Sequence, residues 1–347
     1  MRSAPPTTPD WLFQVLGVER PDEDGIVELH GARFVMRGGL LRAERLAQAR
    51  SAQGQTAEAF GFKWDRRETF ESPASRARMR EWLVERYGDV AGAAWWREYD
   101  EPPLVLDAGC GAALSALELL GPIVPTIRYV GVDISSAVDV AAARFAERRL
   151  PGAFLQADIT DPPFASGSID VIFSEGVLHH TDSTETALKR LADLLSPGGR
   201  FLFYVYRRKG PIREFTDDYV RERVGALDPE DAWQAIMPIT RLGKALGELD
   251  AEVDVEEPIE FLGLPAGRIN VQRLFYWHVL KAFYRPDLTL EELNHINYDW
   301  FAPGNAHRHR PEEVRAWCEE AGLEVERESI QPAGITIVAR KREPRPL

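Results

Sequence analysis

The stretch VLDAGCGAALSALEL at residues 105–119 decides the fold. Its first half is a short apolar run, typical of a buried strand, and its second half has helical spacing. Gly109 and Gly111 lie at the junction, where the lack of side chains lets backbone N–H groups approach a ligand closely. The N-terminus of the helix adds a dipole that favours a carboxylate. The stretch therefore predicts a strand, a glycine turn and a helix that together bind a ligand.

Similar apolar runs recur after this stretch. Five strands are predicted in this part of the chain, at 104–108, 128–133, 153–158, 169–175 and 200–206. Helices are predicted between them at 112–120, 135–149 and 183–195. Apolar strands that alternate with helices indicate a parallel sheet covered on both faces. A helix at 311–322 and an antiparallel hairpin at 323–331 and 334–341 are expected to complete the sheet at one edge.

Acidic residues end the second and third predicted strands. Asp133 is placed to accept hydrogen bonds from both hydroxyls of a ribose. Asp158 is placed to accept a hydrogen bond from an adenine amino group, and Ile134 and Ile159 can pack against the two faces of the ring. Because open α/β sheets bind ligands at the carboxyl ends of their strands, these groups are expected at one site.

The motifs resemble those of a known family when they are taken in order. VLDAGCGAALSALEL, YVGVDIS, LQADITDPPF and IDVIFSEGVLHHTDSTETALKRLADLLSPGGRFLFYVY are similar to motifs I to V of class I S-adenosylmethionine (SAM)-dependent methyltransferases of the small-molecule, type 11/12-like branch. The resemblance covers about residues 100–206. It implies an α/β, doubly wound Rossmann-like fold with a seven-stranded sheet of order 3-2-1-4-5-7-6, in which strand 7 is antiparallel. It also implies SAM as cofactor and S-adenosylhomocysteine as product.

The resemblance also implies which residues bind the cofactor. They are Asp107, Gly109, Cys110, Gly111, Asp133, Ile134, Asp158, Ile159 and Glu175. Glu175 would face the methionyl amine or the substrate. Purely structural alternatives stay open: the glycines make a tight turn, Asp133 caps a helix, Asp158 caps a turn, and Cys110 is a small apolar filler.

Two other enzyme classes share parts of these motifs. A dinucleotide-binding dehydrogenase requires a third glycine, and Leu114 stands at that position. The sequence Asp161-Pro162-Pro163-Phe164 resembles the signature of amino-methyltransferases that act on nucleic-acid bases or protein glutamine. That signature follows the fourth strand, whereas here it precedes the strand, so we interpret it as a loop.

Candidate catalytic residues follow the fourth strand. Glu175, His179 and His180 are the candidates, because imidazole exchanges its proton near neutral pH and methyl transfer to oxygen or nitrogen often uses a base. A capping or core histidine is the structural alternative. Candidate substrate residues lie at the end of the fifth strand and in the segment after it: Tyr204, Tyr206, Arg207, Arg273 and His278. No metal site is expected, because the histidines of this region lack compact ligand spacing.

Four regions are expected along the chain. Residues 1–100 form an N-terminal extension, with a small hairpin at 25–42 and a helix that covers the cofactor site. Residues 101–206 form the SAM-binding core, 207–310 a mainly helical substrate cap inserted after strand 5, and 311–347 the last helix and strands of the core. Within the extension, six residues are candidate contacts to cofactor or substrate: Gln55, Thr56, Phe60, Phe62, Lys63 and Trp64.

Composition limits the partners. The 42 Lys and Arg residues against 55 Asp and Glu give a net charge of −13, which disfavours nucleic acid and anionic membranes. Two cysteines, no signal-peptide pattern and no long apolar run fit a cytoplasmic protein.

The sequence thus predicts an enzyme that methylates an O, N or C atom of a small molecule, such as a natural-product or sugar-linked metabolite, and that can form a homodimer. A nucleic-acid or protein methyltransferase and a non-catalytic SAM-binding partner subunit remain the alternatives.

Overall fold

A large mixed sheet organises the computed structural model, which describes residues 8–46 and 52–343. The strands are β1 (Ile26–Leu29), β2 (Ala32–Arg37), β3 (Leu40–Ala43), β4 (Leu104–Ala108), β5 (Arg128–Asp133), β6 (Ala153–Gln156), β7 (Ile169–Glu175), β8 (Leu195–Tyr206), β9 (Glu252–Val255), β10 (Gly267–Asn270), β11 (Leu323–Ile330) and β12 (Gly334–Lys341). Ten of them form the sheet, in the order β1-β2-β3-β6-β5-β4-β7-β8-β12-β11, and β9 and β10 form a separate hairpin.

The centre of the sheet is parallel. From β3 through β6, β5, β4 and β7 to β8, each strand pairs in parallel with its neighbour, whereas β12 is antiparallel to both β8 and β11. All five residues of β4 are buried, because helices cover both faces of this central strand. The carboxyl ends of the central strands consequently meet at one edge, where the glycine turn lies.

The sheet is larger than the seven strands predicted from the sequence. The N-terminal segment predicted as a small separate hairpin is a three-stranded meander, β1 to β3, whose last strand pairs in parallel with β6 through Leu41 and Leu155. Its turns contain His30-Gly31 and Gly38-Gly39, all with positive φ, the conformation that tight hairpin turns require. The meander therefore covers a sheet edge that would otherwise be exposed to other chains.

Eleven helices surround the sheet in the described chain. They are α1 (Asp10–Leu16), α2 (Ala52–Asp65), α3 (Pro73–Tyr87), α4 (Leu114–Leu120), α5 (Ala137–Arg148), α6 (Thr184–Leu194), α7 (Pro211–Val224), α8 (Pro229–Glu248), α9 (Val271–His278), α10 (Leu290–Phe301) and α11 (Pro311–Glu320). Buried residues of α1, α6 and α11 belong to one core, and those of α3, α4 and α5 belong to the core on the other face. Ser183, Asp228 and Thr289 cap α6, α8 and α10 through their side-chain oxygens.

The fifth strand begins earlier than the sequence predicts. β8 begins at Leu195, so residues 196–199, which precede the strand predicted at 200–206, lie inside it. Ile169 pairs with Leu195, and the register then shifts before Val171 pairs with Arg200. Gly198, with a φ of 78°, accommodates the irregular backbone that this shift produces.

The segment between β8 and α11 folds over the carboxyl edge of the sheet. It contains α7 to α10 and the hairpin of β9 and β10. Trp233, Tyr298 and Trp300 from this segment share a core with Tyr204 and Tyr206 of β8, so the segment is packed onto the sheet by aromatic contacts. None of the helices in the described ranges is long and apolar enough to cross a membrane.

Candidate functional site

A cavity of about 690 Å³ lies at the carboxyl ends of the central strands. Its floor comes from the loops after β4 to β7, and its walls come from α2, α3, the end of β8 and the inserted segment. The volume falls within the range of small-molecule and cofactor sites. The cavity brings together eleven of the predicted site residues: Gly109, Gly111, Asp133, Ile134, Asp158, Ile159, Glu175, His180, Tyr204, Tyr206 and Arg273.

The glycine turn after β4 has no room for side chains. Gly109 has a φ of 82°, and a Cβ atom there would lie 2.2 Å from Cγ1 of Val177. Gly111 has a φ of 49°, and its Cβ atom would lie 2.8 Å from Nε1 of Trp64. Any larger residue would displace Val177 or Trp64, which both line the cavity, so the glycines preserve the shape of its floor.

Asp133 and Asp158 hold local turns and also line the cavity. Asp133 accepts hydrogen bonds from Gly111 N at 2.8 Å, Ser135 N at 2.8 Å and Ser135 Oγ at 2.6 Å. Asp158 accepts from Thr160 N and Oγ1, both at 2.8 Å, and from Gln53 Nε2 at 2.7 Å. The structural and ligand-binding interpretations are compatible, because a carboxylate has about four acceptor positions.

Glu175, at the end of β7, is held as one member of a buried ion pair. Its two oxygens accept from Arg86 Nη2 at 2.5 Å and from Tyr87 Oη at 2.6 Å. Arg86 Cζ lies 3.8 Å from the ring centroid of Trp82 and 4.1 Å from that of Tyr204. Through this ion pair Glu175 presents acceptor oxygens at the end of β7, which suits it to accept a hydrogen bond from an ammonium group.

His180 lines the cavity and has one unpaired ring nitrogen. Its Nδ1 lies 2.6 Å from the carbonyl oxygen of Asn305, and since a carbonyl only accepts, Nδ1 carries the proton. Its Nε2 is buried and has no hydrogen-bond partner among the described residues. Burial lowers the pKa of His180 to about 4, so the ring is neutral at pH 7 and Nε2 offers a lone pair.

A charged cluster lies beside His180. Asp299 of α10 forms an ion pair with Lys63 of α2 and accepts from Tyr206 Oη at 3.2 Å. Burial alone would raise the pKa of Asp299, but Lys63 and Lys281 together hold it below its ordinary value. Burial lowers the pKa of Lys281 to about 7, against the attraction of Asp299. The cavity therefore contains groups of both charges within a largely aromatic wall.

Five predicted residues lie outside the cavity wall. Asp107 accepts from Tyr129 Oη at 2.5 Å inside the core, and Cys110 is buried as a core residue. His179 is fully buried against Tyr206, with ring centroids 3.7 Å apart.

Arg207 and His278 are separated from the cavity by local geometry. Side chains alternate along a strand, and Tyr204 and Tyr206 face the cavity, so Arg207 at the end of β8 lies on the opposite face. His278 is the last residue of α9 and is placed beside the backbone of Leu262. Neither Arg207 nor His278 lines the cavity.

The N-terminal extension contributes part of the predicted wall. Thr56, Phe60, Lys63 and Trp64 line the cavity. Gln55 instead donates to the carbonyl of Ala302, and Phe62 packs against Trp233 and Tyr298. These two residues hold α2 against the inserted segment.

Sequence reasoning missed Arg78 and Lys281, which also line the cavity. A signal for Arg78 was present, because Arg78, Trp82 and Glu85 recur at helical spacing in α3 and form one stripe. Lys281, Phe283 and Arg285 occupy every second position of their segment. No motif indicates whether this side of the segment or the opposite side faces a ligand. Among the described residues, no group of three or more His, Cys, Asp or Glu side chains is arranged to hold a metal ion.

Comparison with known proteins assigns the central region to a family. Residues 106–203 match the family described as "Methyltransferase domain". An uncharacterized methyltransferase of Mycobacterium tuberculosis is 39% identical over 95 residues, which are 27% of this chain and 46% of that protein. The malonyl-[acyl-carrier protein] O-methyltransferase of Legionella pneumophila is 29% identical over 102 residues, 29% of this chain and 36% of that protein. The matches therefore span less than half the length of these two relatives.

Solved structures give a broader but weaker similarity. The 1,6-didemethyltoxoflavin-N1-methyltransferase of Burkholderia thailandensis covers 92% of this chain and 99% of its own, at 14% identity and a TM-score of 0.43. A similarity at this level carries no conclusion about ligand or substrate. Residues 106–203 are therefore similar to the methyltransferase-domain family, in agreement with the motifs.

Proposed function

We propose that this chain binds SAM in the cavity and transfers its methyl group to an O, N or C atom of a small-molecule acceptor. One observation carries the proposal: a single cavity joins Gly109, Gly111, Asp133 and Asp158 to the aromatic wall of the inserted segment. Cofactor and acceptor would thus share one enclosed space. The strand order β6-β5-β4-β7-β8-β12-β11, with β12 antiparallel, corresponds to the 3-2-1-4-5-7-6 order of the class and supports the proposal.

The residues present fit the cofactor. Asp133 and Asp158 line the floor with acceptor capacity for ribose and adenine donors, and Glu175 is a charged acceptor for an ammonium group. A Cβ atom at Gly176 would meet nothing within 4 Å, so the backbone beside Glu175 is open to a ligand. SAM supplies a methyl carbon activated by a sulfonium when it is bound.

His180 is proposed to receive the proton that an oxygen or nitrogen acceptor releases. The proton on Nδ1 is held by Asn305, so the incoming proton would bind at Nε2. The low pKa makes this nitrogen a weak base, which suits an acceptor with an acidic hydroxyl or amine better than an aliphatic alcohol. Asp299, held as an ion by Lys63, would stabilise the imidazolium.

The inserted segment favours a small acceptor over a macromolecule. Tyr206, Tyr276 and Trp300 line the cavity, and the chain carries a net charge of −13, which opposes binding of a phosphate backbone. We propose that residues 1–100, 101–206, 207–310 and 311–347 act as four functional regions of the chain. A cytoplasmic location and a homodimer are part of the proposal.

A labelling experiment tests the reaction. The protein is incubated with methyl-labelled SAM and a cell extract separated into small molecules, nucleic acid and protein. We expect label in the small-molecule fraction, and none with the Asp133→Ala variant. Label in RNA, DNA or protein would assign the activity to the macromolecular alternative. SAM binding with no transfer to any fraction, including the extract before separation, would favour a non-catalytic SAM-binding subunit.

A further inference from the structure

Two cations in the cavity wall, Arg78 and Lys281, form no ion pair and no side-chain hydrogen bond among the described residues, although Asp299 attracts Lys281 from a distance. Arg78 of α3 makes no hydrogen bond or ion pair with the described residues, and its Nε is buried and unpaired. Lys281 is 7% exposed, and its ammonium group contacts the ring of Trp300, at 4.8 Å, without a hydrogen bond among the described residues. Buried charges are normally paired, because desolvation penalises an isolated ion. In a chain with 13 more acidic than basic residues, two cavity-lining cations without an ion pair among the described residues point to a ligand.

Successive residues of the segment that carries Lys281 face two different sides, the cavity and helix α8. We call residues 281–285 the strap. Lys281, Phe283 and Arg285 line the cavity. Ala282 and Tyr284 instead pack on α8, where a Cβ atom at Gly243 or Gly247 would lie only 2.7 Å or 1.9 Å from them. The two glycines therefore let the strap lie close to α8, which fixes the side that faces the cavity.

Backbone contacts hold the strap in this position. The backbone N–H groups of Lys281 and Phe283 donate to Asp217 Oδ1 at 3.2 Å and Asn297 Oδ1 at 3.0 Å. Gln272 Nε2 donates to the carbonyl of Ala282 at 2.8 Å. Three different helices thus supply these side chains, so Lys281 is presented on a preorganised support.

Arg78 reaches the same part of the cavity from α3. Its Cζ lies 5.8 Å from the ring centroid of Phe283, the strap residue between Lys281 and Arg285. Lys281 lies two residues before Phe283 along the strap, and its side chain lines the same cavity as that of Arg78. The ring of Trp82 adds a second aromatic surface near Arg78, with 5.7 Å between Arg78 Cζ and the ring centroid.

Other charged groups line this region but are already paired or lie toward the outside. Arg285 pairs with Asp287, Arg213 pairs with Asp217, and Lys209 donates to two backbone carbonyls. Glu81 and Glu85 of α3 are exposed, and Glu85 accepts from Gln331 at 2.8 Å. Arg273 donates to the backbone carbonyl of Tyr284 at 3.3 Å. Arg78 and Lys281 are thus the cavity-lining cations whose side chains make no hydrogen bond among the described residues.

We propose that the methyl acceptor is an anion, and that Arg78 and Lys281 together bind its carboxylate or phosphate group while Phe283 and Trp82 contact its apolar part. This inference rests on the proposed function, since it names the acceptor class of that site. An arginine binds either group through two N–H donors, and a lysine adds a point charge.

The test measures binding of simple probes, with and without S-adenosylhomocysteine. Benzoate, phenyl phosphate and the neutral benzamide are titrated at constant ionic strength, and quenching of the cavity tryptophans is followed. We expect the anions to bind at least about tenfold more tightly than benzamide. Comparison of benzoate with phenyl phosphate distinguishes the two anion sources. Equal binding of benzamide, or no binding of either anion, would overturn the proposal.

Variants assign the binding to the two cations. Arg78→Met and Lys281→Met should each weaken anion binding by about tenfold and leave SAM affinity unchanged, whereas Arg78→Lys should retain most of it. Arg80→Met, an exposed position of the same helix, is the matched control and should bind as the wild type does. An Arg78→Met variant that matches Arg80→Met, or that loses SAM affinity instead of anion affinity, would contradict the proposal. Failure of the proposed function is seen separately, as absence of SAM binding to the wild type.

Discussion

Asp107 and His180 are both buried, but their surroundings shift their proton equilibria in opposite directions. Burial raises the pKa of Asp107 to about 7, assisted by Asp133 and Glu175 and opposed by the hydrogen bond from Tyr129. Burial lowers the pKa of His180 to about 4. Each group is therefore favoured in its neutral form, as expected for groups removed from water. The consequence for Asp107 concerns stability, and that for His180 concerns catalysis.

Replacing Asp107 should remove a pH dependence of stability. Between about pH 4 and pH 7 the folded protein keeps the Asp107 proton and the unfolded chain loses it, so the free energy of unfolding falls as pH rises. Asp107→Asn should therefore gain stability relative to the wild type, by on the order of a few kcal/mol, between about pH 5 and pH 7.5. Urea unfolding of the variant and the wild type at each of these two pH values measures the difference in the free energy of unfolding. Asp161→Asn, on an exposed loop residue, is the control, and the idea fails if Asp107→Asn shows the same difference from wild type at both.

Replacing His180 should slow methyl transfer and leave cofactor binding intact. His180→Gln removes the lone pair of Nε2, and the loss of a general base typically lowers kcat by about 10²-fold or more. The labelled-methyl assay measures the rate, and calorimetry measures SAM affinity. His278→Gln, outside the cavity wall, should keep the wild-type rate. A His180→Gln enzyme as fast as His278→Gln would show that no base acts at this position.

At the scale of elements, the ion pair of Lys63 and Asp299 joins α2 to α10 across the cavity. The side chain of Lys63 is 5% exposed and that of Asp299 is 28% exposed, so water screens the pair only in part. Gln55 reinforces the same connection through the carbonyl of Ala302. We therefore expect these polar contacts to hold α2 against the inserted segment, and to stabilise the fold more than an exposed ion pair does.

A double-mutant cycle measures this connection. Lys63→Met, Asp299→Asn and the double variant should give a favourable coupling energy of about 0.5–3 kcal/mol in chemical unfolding. The exposed i,i+4 pair of Lys244 and Glu248 on α8 is the control and should couple by about 0.5 kcal/mol or less. Equal coupling in the two pairs would show that burial adds nothing to the contact between α2 and α10.

The strands of the core were predictable because their sequence pattern is strong. β4, β5 and β7 begin and end where the apolar runs predict. The start of β8 was not predictable, since the Pro-Gly-Gly segment has the composition of a turn and its pairing depends on β7. Local sequence thus determines strand interiors better than it determines irregular strand ends.

At the scale of the whole molecule, what escaped prediction depends on contacts between distant segments. The meander of β1 to β3 lies on β6, more than 100 residues away, and β1 is largely exposed, so no pattern indicates which sheet edge it joins. Arg78 and Lys281 likewise meet only through the fold. In contrast, Asp133 and Asp158 could be placed from sequence, because the ends of parallel strands converge at one edge.

The central claim is that this edge binds SAM, and titration calorimetry tests it most directly. The full chain is titrated with SAM and with NADH, and both titrations are repeated on Asp133→Ala. We expect the wild type to bind SAM and not NADH. The variant should lose at least about 1 kcal/mol of SAM binding free energy, because alanine cannot accept the hydrogen bonds that Asp133 would receive from the ribose. No SAM binding by a folded wild-type protein, or binding of NADH in its place, would contradict the account.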